Sequence, residues 1–368
     1  MILSERLLHL EPYLPGEQPK DKSLVKLNTN ENPYPPSPRV AKVLKDLDAE
    51  RLRLYPDPLS IKLRQVLAEL NRVGVSQVFT GNGSDEVLSF VFYALFGHGG
   101  LPVLFPEHTY SFYPVYCSFY GIPYKAVPME RDFSISLSRY LEYQSSGIIF
   151  PNPNAPTGIV LSRREVEEFL KAYDSERPVV LDEAYCDFGG ETSVPLIRDH
   201  PNLLIVSTLS KSRSLAGLRI GYALGSEEMI SVLFMVKDSF NSYPLDLIAQ
   251  EAATEALKDQ EYFVETTARI IRERERVTVE LSCLGFETLP SKANFLFTRK
   301  RGFSGEEIYT FLRREGILVR YFPKKGIEDF VRITLGKPED NTLLLEALSR
   351  FTNSAANRAK SDENKKQS

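Results

Sequence analysis

Between Arg39 and about Ala249 the chain alternates short apolar runs with segments of helix length. Val78-Phe79-Thr80, Val103-Leu104-Phe105, Ile148-Ile149-Phe150, Val179-Val180-Leu181 and Leu203-Leu204-Ile205-Val206 are too short for helices and lack the polar alternation of a half-exposed strand. They read as strands buried on both faces. Arg39–Leu47, Leu59–Arg72 and Ser162–Ala172 carry helical patterns. Strands buried on both faces need helices over each, so the rhythm predicts an α/β fold, a mostly parallel sheet between helices. Such sheets bind ligands beyond the carboxyl ends of their strands. Asp182 and Lys211 fall there.

The flanks read differently. Residues 1–38 form an arm around one short strand, Leu24–Leu27, and the run Asn28 to Pro38 holds too many prolines for a helix interior. With little core of its own, the arm must pack on something else. The large domain spans 39–249 and a smaller α+β domain spans 250–352. A long helical stretch, Leu245 to Leu284, leads into the latter, and its centre, A-R-I-I-R-E-R-E-R-V, reads as a solvated face with i,i+4 pairs. Strands at Asn294–Phe297, Ile317–Arg320 and Phe330–Thr334 and helices at Gly305–Arg314 and Glu339–Phe351 complete it. Residues 353–368 hold no large apolar side chain and read as a disordered tail.

With 368 residues the chain can bury two sizeable cores, and its net charge of −4 argues against a nucleic-acid binder. Cys117, Cys186 and Cys283 are far apart and His9, His98, His108 and His200 are scattered, so neither a disulfide framework nor a metal site is expected. No apolar run approaches the roughly 20 residues of a membrane span. The first ten residues mix acid and base with apolar residues, unlike a signal peptide. A cytoplasmic setting fits.

The chemistry concentrates in V-V-L-D-E-A-Y (Val179 to Tyr185) and T-L-S-K-S-R-S-L-A-G-L-R-I-G-Y (Thr208 to Tyr222). A carboxylate, a tyrosine, a lysine and an arginine in that order match the needs of pyridoxal 5'-phosphate. Its aldehyde takes a lysine amine, its ring nitrogen an acidic partner, and its phosphate hydroxyls and an arginine. Any one of these residues alone is more often a solvated side chain or a helix start. Upstream, G-N-G-S-D-E (Gly81 to Glu86) leaves a strand and opens the helix Val87–Phe96. Its backbone amides suit an anion, while Ser84 with Asp85 and Glu86 also reads as a plain helix cap.

From about Pro12 to Phe351 the chain resembles the fold-type I pyridoxal-phosphate-dependent aminotransferases, and within them the histidinol-phosphate aminotransferases. The motifs carrying the resemblance, in order, are L-N-T-N-E-N-P-Y, L-Y-P-D-P, G-N-G-S-D-E, F-P-E-H-T-Y, P-N-A-P-T-G, D-E-A-Y, T-L-S-K, A-G-L-R-I-G-Y, G-I-L-V-R and V-R-I-T-L-G. The resemblance implies that Lys211 attaches the cofactor and moves protons, Asp182 faces the ring nitrogen and Tyr185 the ring oxygen. It implies a phosphate site of Ser84, Asp85, Thr208, Ser210 and Arg219, with Tyr110 stacked on the ring. Relatives carry an asparagine where this chain has Ala155, so Asn154, one residue earlier, is the candidate in its place. Tyr55 is expected to reach the phosphate of a neighbouring subunit, making a homodimer with shared sites in which the arm touches both the small domain and the partner. Arg332, Arg320 and Tyr13 are expected to bind substrate anions: glutamate or 2-oxoglutarate, and histidinol phosphate. A lyase resembling threonine-phosphate decarboxylase, an aromatic amino acid aminotransferase and a non-enzymatic cofactor-binding regulator are the rival readings.

Overall fold

The computed structural model describes residues 10, 12, 13, 16–19 and 23–366, with side chains as far as 353. The rest of the expected arm lies outside the described residues. After the short arm strand β1 (Val25–Lys26), seven strands share one sheet: β2 (Val78–Asn82), β3 (Val103–Pro106), β4 (Tyr124–Val127), β5 (Gly147–Pro151), β6 (Val179–Asp182), β7 (Leu203–Thr208) and β8 (Ile220–Leu224). Their order is β2-β8-β7-β6-β5-β3-β4. Only β8 is antiparallel to its neighbours, so the other strands end at the same edge.

The two faces of the sheet are divided residue by residue. Ile148, Val179, Leu181, Leu203 and Ile205 pack into one core with helices α1 (Pro38–Asp46) and α2 (Ile61–Asn71). Ile149, Val180, Leu204 and Val206 point the other way, against α3 (Gly83–Leu95) and α4 (Tyr113–Tyr120). This period-two division is why β5, β6 and β7 contain no polar residue until their ends. α5 (Arg163–Ala172) joins the first face and starts at a capping box, in which Ser162 and Glu165 satisfy each other's backbone amides. α6 (Glu227–Phe240) joins the second.

The helical stretch 245–284 is two helices, α7 (Leu247–Lys258) and α8 (Gln260–Cys283). Asp259 separates them, and its carboxylate accepts from Tyr262 N at 3.3 Å to cap the second. α7 packs Ala249, Ala252, Ala253 and Ala256 into the large-domain core. A boundary at 249/250 therefore cuts a helix that belongs to the large domain; core membership places it after Lys258. The charged face of α8 does carry pairs such as Arg269–Glu265 and Arg276–Glu280. Arg274 departs from that expectation. It is buried and donates to the carbonyls of Phe188 at 2.6 Å and Ala293 at 3.0 Å.

The smaller part holds β9 (Glu287–Thr288), β10 (Phe295–Arg299), α9 (Gly305–Arg314), β11 (Ile317–Leu318), β12 (Arg320–Tyr321), β13 (Phe330–Thr334) and α10 (Pro338–Lys366). The expected strand Ile317–Arg320 is split, because β11 pairs with β1 of the arm while β12 pairs with β13. Leu27 of the arm is buried among Ile270, Ile317, Ile333 and Leu344. The backbone of α10 continues to Lys366 where a disordered tail was expected from 353.

Candidate active site

Asp182 ends β6 with its carboxylate buried, 5% exposed. It accepts from Ala184 N and from the Tyr113 hydroxyl, each at 3.2 Å. Burial pushes its pKa up to about 6, with those hydrogen bonds opposing the shift. A carboxylate held this way favours a positively charged neighbour, which a protonated ring nitrogen supplies. Lys211 stands just past β7, and its Nζ donates to the Thr29 carbonyl of the arm at 3.2 Å. The arm also holds the backbone of this loop, because Asn32 Nδ2 donates to the carbonyls of Lys211 at 3.0 Å and Ser212 at 3.2 Å. The Tyr185 hydroxyl accepts from Asn30 Nδ2 at 3.0 Å, and its ring meets Phe295 edge-on.

A cradle lies at the start of α3. Gly83 has φ +80°, and a Cβ there would meet the Arg219 guanidinium at 2.5 Å. One at Gly221 would meet Ser84 N at 2.3 Å. At Gly221 only glycine lets the two backbones converge, and at Gly83 the positive φ favours it. Arg219 pairs with Asp85 at 2.9 Å, and Asp85 also accepts from the Tyr110 hydroxyl at 2.8 Å. Ser84 lies inside the first turn of α3 rather than at its cap, which is Asn82. Thr208 and Ser210 are buried across from it, with hydroxyls 3.0 Å apart. Backbone amides, two hydroxyls and an arginine thus gather at a helix amino end, as a phosphate requires.

Arg320 and Arg332 stand opposite each other on β12 and β13. Arg332 lies among the rings of Phe295 and Phe322, at 5.2 and 5.4 Å, and donates to the Asn28 carbonyl at 3.2 Å. Its Nε is buried without a hydrogen-bond partner. Burial lowers its pKa, with Arg320 acting the same way, yet a guanidinium stays charged. Tyr13, Tyr110, Tyr185, Lys211, Arg320 and Arg332 line one cleft. The hydroxyls of Thr29 and Thr109 in its wall are also buried and unpartnered. These orphaned donors and acceptors, with the glycine cradle and the buried Asp182 carboxylate, fit pyridoxal 5'-phosphate and an anionic substrate.

Two candidates lie elsewhere. Asn154 is 0% exposed, and its Nδ2 donates to the His108 carbonyl and Thr157 Oγ1, each at 3.0 Å. The turn is braced by that side chain, and Ala155 and Pro156 face the cleft instead. Tyr55 is 82% exposed, stacked on Tyr243 at 4.6 Å and outside the cleft of its own subunit. Tyr113 and the arm residues Asn30 and Asn32 were not singled out from sequence. Alternating asparagines in a proline-rich arm are the signal for the latter pair, since an irregular segment over a polar site must supply its own hydrogen bonds.

Residues 22–348 match the family model described as aminotransferase class I and II. The chain is 54% identical over 353 residues to a histidinol-phosphate aminotransferase of Syntrophus aciditrophicus, covering 95% of this chain and 98% of that one. It is 53% identical to histidinol-phosphate aminotransferase 1 of Bradyrhizobium diazoefficiens, with 92% and 96% covered. Among solved structures it is similar to the histidinol-phosphate aminotransferase of Sinorhizobium meliloti in complex with pyridoxal-5'-phosphate. There the TM-score is 0.82 at 27% identity, over 90% of this chain and 91% of that one.

Proposed function

The chain belongs to the aminotransferase class I and II family, and from that premise we propose that it interconverts histidinol phosphate and imidazole acetol phosphate, with glutamate and 2-oxoglutarate as the second pair. The observation that carries the substrate choice is the facing pair Arg320 and Arg332 in one cleft with Lys211. Histidinol phosphate has no carboxylate, so one cationic pocket must accept its phosphate in one half-reaction and a carboxylate in the other. Guanidinium groups bind both bidentately.

Pyridoxal 5'-phosphate, when bound, supplies an aldehyde that condenses with amines and a protonated ring that draws electrons from the amino-bearing carbon. Asp182 keeps the proton on the ring nitrogen. Tyr185, oriented by Asn30, donates toward the ring oxygen. Gly83, Ser84, Thr208, Ser210 and Arg219 would hold the phosphate, with Arg219 oriented by its pair with Asp85. Lys211 would anchor the cofactor through its Nζ, and the same amine, once free, would carry the proton from the amino-bearing carbon to the cofactor's former aldehyde carbon. Arg332 anchors either anion, Arg320 adds charge for the phosphate, and Tyr13 closes over it.

The working unit is a homodimer. Leu52, Leu54, Tyr55, Met235, Phe240 and Tyr243 expose apolar surface that a second copy would cover. Among the described residues no helix is long and apolar enough to cross a membrane. Free cysteines suit a reducing cytoplasm. An amino-donor screen with the purified enzyme tests the reading. Histidinol phosphate should yield a keto product with stoichiometric glutamate from 2-oxoglutarate. Release of carbon dioxide from a phosphorylated amino acid, or preference for an unphosphorylated aromatic donor, would contradict it.

A further inference from the structure

Lys237 on α6 is a charge where a surface helix normally buries apolar side chains: its side chain is 1% exposed. Ile230 and Leu233 already anchor this helix to the sheet, so packing alone does not call for an ammonium there. Its Nζ donates to the carbonyls of Pro58 at 3.2 Å and Ser242 at 3.1 Å, and pairs with Asp238 at 2.7 Å. An ammonium out of water is tolerated where its donors find acceptors. Two of these acceptors are backbone carbonyls in irregular segments, one following Tyr55 and the other preceding Tyr243. The two rings stack on each other at 4.6 Å, and Gln250 fastens the same segments through the carbonyls of Asp57 and Leu245 at 3.0 Å each.

We propose that Lys237 is a positioning residue acting across the dimer: by gripping Pro58 and Ser242 it fixes the Tyr55–Tyr243 pair in the orientation that completes the cofactor-phosphate site of the partner subunit. The inference rests on the shared-site reading above. A helix inside one subunit thereby sets how firmly the other subunit keeps its cofactor.

Two holoenzyme heterodimers, each with one competent Lys211, separate this role from a local one. In the first, a wild-type subunit is paired with one carrying Lys237→Met and Lys211→Ala, so the Tyr55 serving the competent site is disturbed. In the second, a Lys237→Met subunit is paired with Lys211→Ala, so the competent site is served by an undisturbed Tyr55. The readout is cofactor that borohydride fixes to Lys211 after increasing times of dialysis. Loss should be roughly tenfold faster in the first pairing, the scale of one or two charge-assisted hydrogen bonds, and near the wild-type rate in the second. Equal rates, or faster loss in the second, overturn the proposal. If Lys237→Met subunits do not assemble, Lys237→Gln in the same pairings must show the same inequality. A third pairing, wild type with Tyr55→Phe plus Lys211→Ala, tells the two levels apart. Slow loss there sinks the shared-site reading, whereas fast loss there with no Lys237 effect sinks only the role of Lys237.

Discussion

A carboxylate taken out of water is driven toward its neutral form, and the neighbours Asp182 and Glu183 show two uses of that cost. Glu183, pushed up to about 7 by burial, accepts from Thr192 Oγ1 at 2.6 Å and Ser193 N at 2.7 Å and braces a loop. Asp182 faces the site with its pKa raised from 3.8 to about 6. The folded form holds the proton more tightly, so this stability is full below the unfolded pKa and lost as pH rises through the folded one. In cofactor-free protein Asp182→Asn should therefore raise unfolding stability by up to about 3 kcal/mol at pH 8 and by much less at pH 4.5. Urea titrations at the two pH values check this, and an equal effect at both would contradict it. At the other end of the cleft, Arg332→Ala should cost about 2–4 kcal/mol in kcat/KM for both half-reactions. Arg320→Ala should hurt histidinol phosphate more than glutamate, which single-turnover kinetics with each donor would reveal. The candidacy of Lys211, Asp182 and Arg332 could be proposed from sequence because their chemistry restricts residue type and order. Asn154 was harder to read because identity one position off says nothing of direction: its Nδ2 is taken up by His108 and Thr157, while its Oδ1 is buried without a partner.

Among elements, exposed β4 with its Lys125, and β8 with its glycine, were not singled out, whereas the five strands buried on both faces were the most legible. Boundaries set by tertiary packing were less so. α7 looks continuous with α8 in hydrophobic pattern, and the break at Asp259 is a single polar residue that could equally lie on a helix face. The short side chains along α7 carry the missing information, because alanines allow close approach to α1 and α2. Ala253→Leu should accordingly lower unfolding stability by about 1–3 kcal/mol through overpacking, with the fold kept. An unchanged urea midpoint would place this helix outside the large-domain core. The split of Ile317–Arg320 has a similar cause: apolarity marks a strand but not its partner, and here the arm captures one half and β13 the other.

For the whole molecule, the arm and both domains converge on one cleft, to which the proposed second copy would add Tyr55. Thr29, Asn30 and Asn32 reach Lys211, Tyr185 and the small domain from the arm, so the arm supplies part of what holds the site. Tyr55 could not be placed from a single chain, because an exposed tyrosine is explained only by what covers it. Mixed dimers of Tyr55→Phe and Lys211→Ala subunits, each impaired alone, should regain one active site in two; no recovery in verified heterodimers would count against a shared site. All of these roles depend on Lys211 being the cofactor's anchor. Borohydride reduction of the holoenzyme followed by peptide mapping tests it: the visible absorption band should disappear and leave a stable label on Lys211. A label on another lysine, or a Lys211→Ala protein that still fixes the cofactor to a protein amine, would contradict it.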